Sequence, residues 1–261
     1  MDKKTPVLRN IKLSKISTRA PKGAQKDEYE AKSLELYKKI GKLQHILYAE
    51  KKHSVLIIFQ GMDASGKDGA TKNVFSEISP QGIYVEAFKK PTEEEMNHDF
   101  LWRIHRFAPE KGFIQIFNRS QYEDILIQRV HKWIDETRVV QRMQAINAFE
   151  KLLQFDNNTT IIKFYMHISK AMQLEQLKER LENPDKNWKH NPTDWEERKL
   201  WDDYIKAYEY IFNNSEIPWH IVPVDQRWYR NYFIADIIVK ELEKLNMQLP
   251  KLDKNSLVIA P

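Results

Sequence analysis

Residues 54–72 read SVLIIFQGMDASGKDGATK, and the organisation of the whole chain follows from them. Val55 to Phe59 is an unbroken apolar run, the pattern of a strand covered on both faces. Gly61 and Gly66 bracket a turn that ends at Lys67, where a helix is predicted to open. Such a turn gathers backbone N–H groups and a helix N-terminus around phosphate oxygens, while the lysine brings a mobile point charge to them. Two residues depart from the usual phosphate loop. Asp68 stands where Ser or Thr would reach Mg²⁺. Asp63 lies inside the turn, where a carboxylate repels phosphate unless it holds a metal or orients the acceptor; Asp is also a common turn former.

With 261 residues, 41% hydrophobic and 30% charged, the chain has an ordinary globular composition and the length for a substantial core. The absence of cysteine excludes disulfides, thiolate nucleophiles and thiolate metal sites. No apolar stretch approaches the roughly 20 residues that span a bilayer, so no membrane contact is expected. The basic N-terminus lacks the apolar segment of a secretory signal, and a cytoplasmic protein is expected. The formal charge of +5, from 42 basic and 37 acidic residues, suits an anionic partner without naming it.

Residues 1–27 form a basic arm without periodicity, read as poorly ordered, with a surface clamp or an anion-gathering tail as the alternatives. Leu34, Tyr37, Ile40, Leu43 and Leu47 then recur at helical spacing over about 28–48. After the loop, Ala70, Val74 and Ile78 share a helix face, ended by Pro80 and Gly82. A second strand, Ile83 to Ala87, leads to Lys89 and Lys90. A helix from Thr92 is expected to carry Trp102, Arg103, His105 and Arg106, and Thr92 with Glu95 has the capping-box spacing. The third strand, Phe113 to Phe117, ends in Asn118-Arg119-Ser120, before a helix with Tyr122, Glu123, Asp124 and Arg129. A long helix over about 137–155 and a fourth strand, Thr160 to Met166, follow. Residues 169–212 show no strand signal and are read as a lid, two helices joined by a mobile loop. The fifth strand, Ile217 to Val222, is interrupted by Pro218. A last helix turns Phe233, Ile237 and Leu242 inwards, and 246–261 is a tail. This alternation gives a three-layer α/β fold with a mainly parallel five-stranded sheet, the domain running from 28 to 245.

Asn118 closes the third strand, where nucleotide-binding proteins often present a carboxylate to a metal. An amide offers oxygen to the ion or its water but no charge, which leaves a metal more dependent on Asp63. Arg119 follows at once, and a guanidinium at a strand end forks onto phosphoryl oxygens. Its alternative is an ion pair with Glu123 or Asp124. Lys72, Lys89, Lys90, Arg103, His105, Arg106, Arg129 and His131 each suit a solvated surface. As a set they exceed what one nucleoside triphosphate needs and point to a second, extended anion. Nucleic acid is not expected, since no strand-borne aromatic pair, zinc spacing or recognition helix is present. In the lid, Lys170, Arg180, Lys186 and Lys189 are placed to reach transferring phosphates or to serve as surface charges. Trp188 and Trp195 would stack on a base or seal the closed site against water.

Taken in order, GMDASGKDG (61–69), FKKPT (88–92), WRIHRFAPEKG (102–112), IFNRSQYEDILIQRVH (116–131), HISKAMQLEQLKERLENPDKNWKHNPTDWEERKLWDDY (167–204) and VPVDQRWYRN (222–231) resemble the polyphosphate kinase 2 family. The resemblance covers roughly residues 28–245. It implies a P-loop kinase-like fold with a helical lid, and reversible phosphoryl transfer between inorganic polyphosphate and a nucleotide. It also implies Mg²⁺, with Mn²⁺ as substitute, adenine or guanine nucleotides, and a homodimer or homotetramer. By the same resemblance Asp63 works with metal and the accepting phosphate, Lys67 binds phosphate, and Arg119 is the arginine after the second motif. A polyphosphate channel is assigned to Lys89, Lys90, Arg103, His105 and Arg106. Phosphate and nucleotide contacts are assigned to Gly61, Ala64, Ser65, Gly66, Asp68, Gly69, Lys72, Asn118, Glu123, Arg129 and Lys189, and lid contacts to Lys170, Arg180, Lys186 and Trp188. Asn118 departs from the Asp of many members, and NRSQYED resembles the branch that accepts both nucleoside mono- and diphosphates. The expected function is a polyphosphate-dependent phosphotransferase acting on AMP or ADP to give ADP and ATP. The alternatives are an ATP-dependent nucleoside monophosphate kinase and a nucleotide-gated module that binds nucleic acid.

Overall fold

Every side chain of β1 (Ser54–Gln60) is buried in the computed structural model, which describes residues 10–252 of the chain. An unbroken apolar run has to lie between two covering layers, and the sheet provides that place. β1 is the middle strand of a five-stranded sheet, in the order β2 (Ile83–Ala87), β3 (Ile114–Asn118), β1, β4 (Thr159–His167), β5 (Trp219–Pro223). All neighbouring pairs are parallel. The register places Phe59 opposite Asn118, so β1 and β3 end side by side and release their loops at one level. This is the edge at which open α/β sheets bind ligands.

The helices are α1 (Lys26–Glu50), α2 (Lys67–Val74), α3 (Glu93–Met96), α4 (Trp102–His105), α5 (Glu123–Val130), α6 (Glu136–Asn157), α7 (Lys170–Glu182), α8 (Thr193–Lys199), α9 (Trp201–Asn214) and α10 (Arg227–Glu243). α10 packs along α1 and against α2, while α5 packs against α6 and α9. Among the described residues, no helix is long and apolar enough to cross a membrane.

Several local expectations shift. Leu34 lies on the solvent side of α1 at 58% exposure, and Ser33 and Gln44 complete the buried face instead. α2 stops at Val74, so Ile78 packs on the core from beyond the helix. The single helix expected from Thr92 is two short ones. Thr92 and Glu95 do form the reciprocal capping box of α3, but the chain then turns before α4 starts at Trp102. Pro218 precedes β5 rather than interrupting it, and the proline β5 does contain, Pro223, is its last residue. In α10, Ile234, Ile238 and Leu242 are fully buried, with Phe233 and Ile237 half-buried beside them.

Two stretches differ more. Within 1–27, residues 10–25 lie against the body rather than loose. Leu13 is buried, and the Ile11 and Leu13 amides donate to Asn213 and Glu209 of α9 (2.7 and 2.8 Å). Thr18 Oγ1 donates to Asp225 (2.7 Å). The rest of the arm, 1–9, falls outside the described residues. In 169–212, the linker holds a 3₁₀ turn (Pro184–Lys189) and α8. α9 belongs to the core, burying Trp201, Tyr204, Tyr208 and Phe212.

One polar cluster is sealed inside the core. Lys163 of β4 and Glu150 of α6 are 0% and 1% exposed and pair at 2.7 Å. Tyr122 OH donates to Glu150 (2.8 Å) and accepts from Lys163 (2.6 Å). The cluster fixes the segment directly after Arg119 to two other elements. Removing one partner strands a buried charge, whereas removing both charges does not. Lys163→Met should destabilise the protein by about 3–5 kcal/mol in chemical denaturation. The double variant Lys163→Met/Glu150→Gln should recover part of that loss; a double variant less stable than the single would contradict this account.

Candidate active site

The loop after β1 folds tightly because glycine occupies the positions a side chain would block. Gly61 lies against Met166 of β4, where an added Cβ would sit 2.9 Å from the Met166 Cβ. Gly66 has φ +87 and precedes α2, and a Cβ there would collide with the guanidinium of Arg230. Between them Ser65 is buried, with its hydroxyl unpartnered.

Lys67, the first residue of α2, is only 9% exposed. Its ammonium donates to the carbonyls of Gly61 (2.9 Å) and Met62 (3.3 Å). Burial, and secondarily the Arg119 charge, lower its pKa to about 8. Two carbonyls are poor compensation for a buried ammonium, and an arriving phosphate would replace them.

Arg119 leaves β3 in the left-handed region, φ +64, while its amide donates to Phe59 O (3.0 Å). A non-glycine residue held there stores strain, which is characteristic of functional sites. Its guanidinium pairs with Asp63, and with Glu123 at 3.5 Å. Glu123 first, and Asp63 next, raise the Arg119 pKa. Beside it, Asn118 Nδ2 donates to Asp68 (2.6 Å), and Lys189 pairs with the same carboxylate at 3.3 Å. Burial raises the Asp68 pKa, but these two bonds outweigh it and the net shift is downward. α7 touches the loop through Gln173, which donates to Asp63 O (3.0 Å) and accepts from Arg198 (2.6 Å).

A cavity of about 450 Å³ opens over this loop. Of the residues singled out in the sequence, Asp63, Ala64, Ser65, Gly66, Lys67, Asp68, Gly69, Lys89, Asn118, Arg119, Arg180, Lys186 and Lys189 line it. Gly61 and Glu123 line a small neighbouring void of about 20 Å³, shared with Asp63, Arg119, Asp194 and Glu197.

The remaining candidates are elsewhere. Arg103 is buried and committed: it pairs with Glu95 (3.1 Å), donates to Lys89 O (2.8 Å) and lies over Phe88. It therefore shapes the end of β2 instead of standing free in a channel. Arg106 stacks on Trp102, and His105 packs edge-on to Phe149. Arg129 pairs with Glu136 and covers Tyr210. Lys72, Lys90 and Lys170 are exposed and outside the lining, as is Trp188 at 77% exposure. Trp195 is half-buried within α8, and His131 contacts Glu197 of α8 at 3.0 Å, which ties the end of α5 to α8.

Two arginines of the lining were not singled out, Arg227 and Arg230 in the first turn of α10. The signal was available: they open the helix that follows β5, near a strand end as Arg119 is at the end of β3. Gln173 and Gln176, uncharged on a polar helix, carried no comparable signal.

Among the described residues no group of three or more His, Asp or Glu is arranged to hold a metal unaided. The cavity does present Asp63, Asp68 and Asn118, all hard oxygen donors, around the loop. That set suits Mg²⁺, which commonly takes one or two carboxylates and completes its shell with water and substrate phosphates.

A parallel sheet whose central strand runs into a buried lysine, beneath a cavity lined by lysines and arginines, defines a phosphate-loop protein of the kinase kind. The pattern described as Polyphosphate kinase 2 (PPK2) matches residues 23–250. An AMP/ADP-polyphosphate phosphotransferase of Meiothermus ruber is 44% identical over 237 residues, 90% of this chain and 88% of that protein. An ADP-polyphosphate phosphotransferase of Rhodopseudomonas palustris is 38% identical over 92% of this chain and 89% of its own length. The crystal structure of polyphosphate kinase 2 from Arthrobacter aurescens superposes with a TM-score of 0.90 at 38% identity, over 95% and 92% of the two chains. The chain belongs to the polyphosphate kinase 2 family, and it is an enzyme, a polyphosphate:nucleotide kinase.

The lowered lysine pKa sets a pH dependence. Only the protonated ammonium attracts phosphate, so the competent free protein is depleted as pH rises through about 8. Above that value kcat/KM should fall by about tenfold per pH unit, and phosphate-chain binding should take up protons. Calorimetry in two buffers of different ionisation enthalpy measures the uptake; a flat kcat/KM from pH 7 to 9.5 would contradict the assignment.

Proposed function

We propose that the protein moves a phosphoryl group reversibly between inorganic polyphosphate and AMP or ADP, giving ADP and ATP. The observation that carries this reading is the charge of the cavity. Eight lysines and arginines line it (Lys67, Lys89, Arg119, Arg180, Lys186, Lys189, Arg227, Arg230) against four carboxylates (Asp63, Asp68, Glu179, Asp225). One nucleotide does not need so many cations, whereas a nucleotide meeting a long polyanion does. The match to an AMP/ADP-polyphosphate phosphotransferase, together with Asn118 at the strand end, supports acceptance of both AMP and ADP. Adenine is the base the relatives' printed names favour, and assembly as a homodimer or homotetramer belongs to the same proposal.

The chemistry needs no strong general base, because a phosphate oxygen of AMP or ADP is already a competent nucleophile near neutral pH. It attacks the terminal phosphorus of polyphosphate in line; the new P–O bond forms as the bond to the shortened chain breaks. Lys67 leaves its carbonyls for the transferring phosphoryl oxygens, and Arg119 forks onto them from the strand end. Asp63, freed from Arg119, faces the accepting phosphate. Asp63 and Asn118 would hold Mg²⁺, which when bound would supply positive charge against the negative charge that builds on the phosphoryl oxygens. The lid brings Arg180, Lys186 and Lys189 over the cavity and excludes water, which would otherwise accept the phosphoryl group.

The direct test is to incubate the protein with AMP or ADP, long-chain polyphosphate and Mg²⁺ without ATP, and to follow nucleotides by chromatography. ADP and ATP should accumulate; their absence, with activity only when ATP is the donor, would favour a conventional nucleoside monophosphate kinase. Salt-sensitive binding of DNA or RNA without transfer would favour the nucleic-acid module. Asp63→Asn should lower kcat by about 10²–10³-fold, the scale of losing one electrostatic partner of a transition state, with the circular dichroism spectrum unchanged. Retention of most of the rate would remove Asp63 from the chemistry.

A further inference from the structure

The transfer described above makes no use of the most deeply buried cation on the cavity wall. Arg230 is 4% exposed, yet its guanidinium faces neutral partners only. Nε and Nη2 donate to Asn231 Oδ1 (3.0 and 2.7 Å), and Nη1 donates to Gly66 O (3.3 Å). Burial first, and the neighbouring Arg227 second, lower its pKa to about 10. The other cations of this wall are differently placed. Lys189 pairs with Asp68, and Lys186 and Arg227 share Glu179. A buried, charged guanidinium without an anion is costly to keep, and an incoming anion removes that cost.

The surroundings narrow what the anion is. Arg230 lies directly against Gly66 and Gly69, on the α10 side of the loop, and both positions are free of side chain where the guanidinium lies. It is on the opposite side of the sheet order from Phe88, the one aromatic residue among the described residues that line the cavity, which stands just past β2. The aromatic residues of α10 itself, Trp228, Tyr229 and Tyr232, cluster with Tyr29 and do not line the cavity, so a nucleobase finds no ring on this part of its wall, and a bare phosphate needs none. Arg227 is the first residue of α10, so the positive end of a 17-residue helix backs the same spot.

We propose that Arg230, with Arg227 beside it, forms a second phosphoryl-binding subsite behind the phosphate loop, separate from the transfer centre at Lys67 and Arg119. The subsite holds a phosphoryl group of inorganic polyphosphate that is not being transferred. It thereby anchors the chain while its end reacts. This rests on the polyphosphate reading above and adds where the chain is gripped. A nucleotide phosphate has the same chemistry, so the test separates the two sources.

The test uses wild type, Arg230→Lys and Arg230→Gln, with inorganic tripolyphosphate and AMP titrated separately by calorimetry without catalytic turnover. A forked, charge-assisted contact predicts a tripolyphosphate Kd raised by about tenfold or more in Arg230→Gln, and an intermediate rise in Arg230→Lys, which keeps charge but loses the fork. The Kd for AMP should not move, and KM for polyphosphate should rise while kcat at saturation changes little. The ligand-free Arg230→Gln protein should melt no lower than wild type, because an uncompensated charge has gone, and tripolyphosphate should raise its Tm less. Equal tripolyphosphate affinity in all three proteins would overturn the subsite. So would a loss confined to AMP, which would assign Arg230 to the nucleotide, or a lowered ligand-free Tm with an undiminished tripolyphosphate response, which would make it a packing residue. If wild type neither binds tripolyphosphate nor transfers phosphate from it, the polyphosphate reading itself fails, a result distinct from any difference among the variants.

Discussion

A lysine ammonium held beneath a loop of its own backbone carbonyls is the constraint around which this protein is built. Lys67 can occupy that place only because β1 is buried on both faces and delivers the loop to the centre of the sheet edge. The loop can close over it only because Gly61 meets β4 and Gly66 meets Arg230 without side chains. Burial makes the charge expensive and lowers its pKa. A phosphate anion removes the expense, so affinity and specificity for phosphate come from the same feature that destabilises the empty loop.

The other charges are arranged to wait for that anion. Arg119 rests on Asp63 and Glu123, and Lys189 rests on Asp68. Each pair is partly exposed, so each contributes little to folding and is readily exchanged for substrate. The Lys163–Glu150 pair is the contrast. It is fully enclosed, has no ligand to meet, and holds the strand-end segment after Arg119 in place. Exposure therefore separates the exchangeable pairs of the site from this fixed one in the core.

Much of this was legible in the sequence, for physical reasons. Apolar runs and helical spacing report burial, so the five strands and the long helices could be placed to within a residue or two. The glycines and Lys67 report a backbone shape, so the loop was readable as well. Side-chain commitment was not. Arg103 looks like a free cation in WRIHRF, but Glu95 and the Lys89 carbonyl hold its two terminal nitrogens after a turn that the sequence pattern did not reveal. Arg129 is likewise taken by Glu136 seven residues on. Arg227 and Arg230 went unremarked because the apolar face of α10 dominates its pattern. The arm at 10–25 is polar and irregular, and it is held by side-chain caps from Asn213 and Glu209 that only the folded chain brings near.

The most direct measurement of the central claim is the pKa of the Lys67 ammonium, followed by NMR of ¹⁵N-lysine-labelled protein and assigned with Lys67→Arg. The account predicts a value about 8 in the ligand-free protein, rising toward the ordinary lysine value of roughly 10.4 when tripolyphosphate is bound. An ordinary value in the ligand-free protein, or one that tripolyphosphate leaves unchanged, would contradict it.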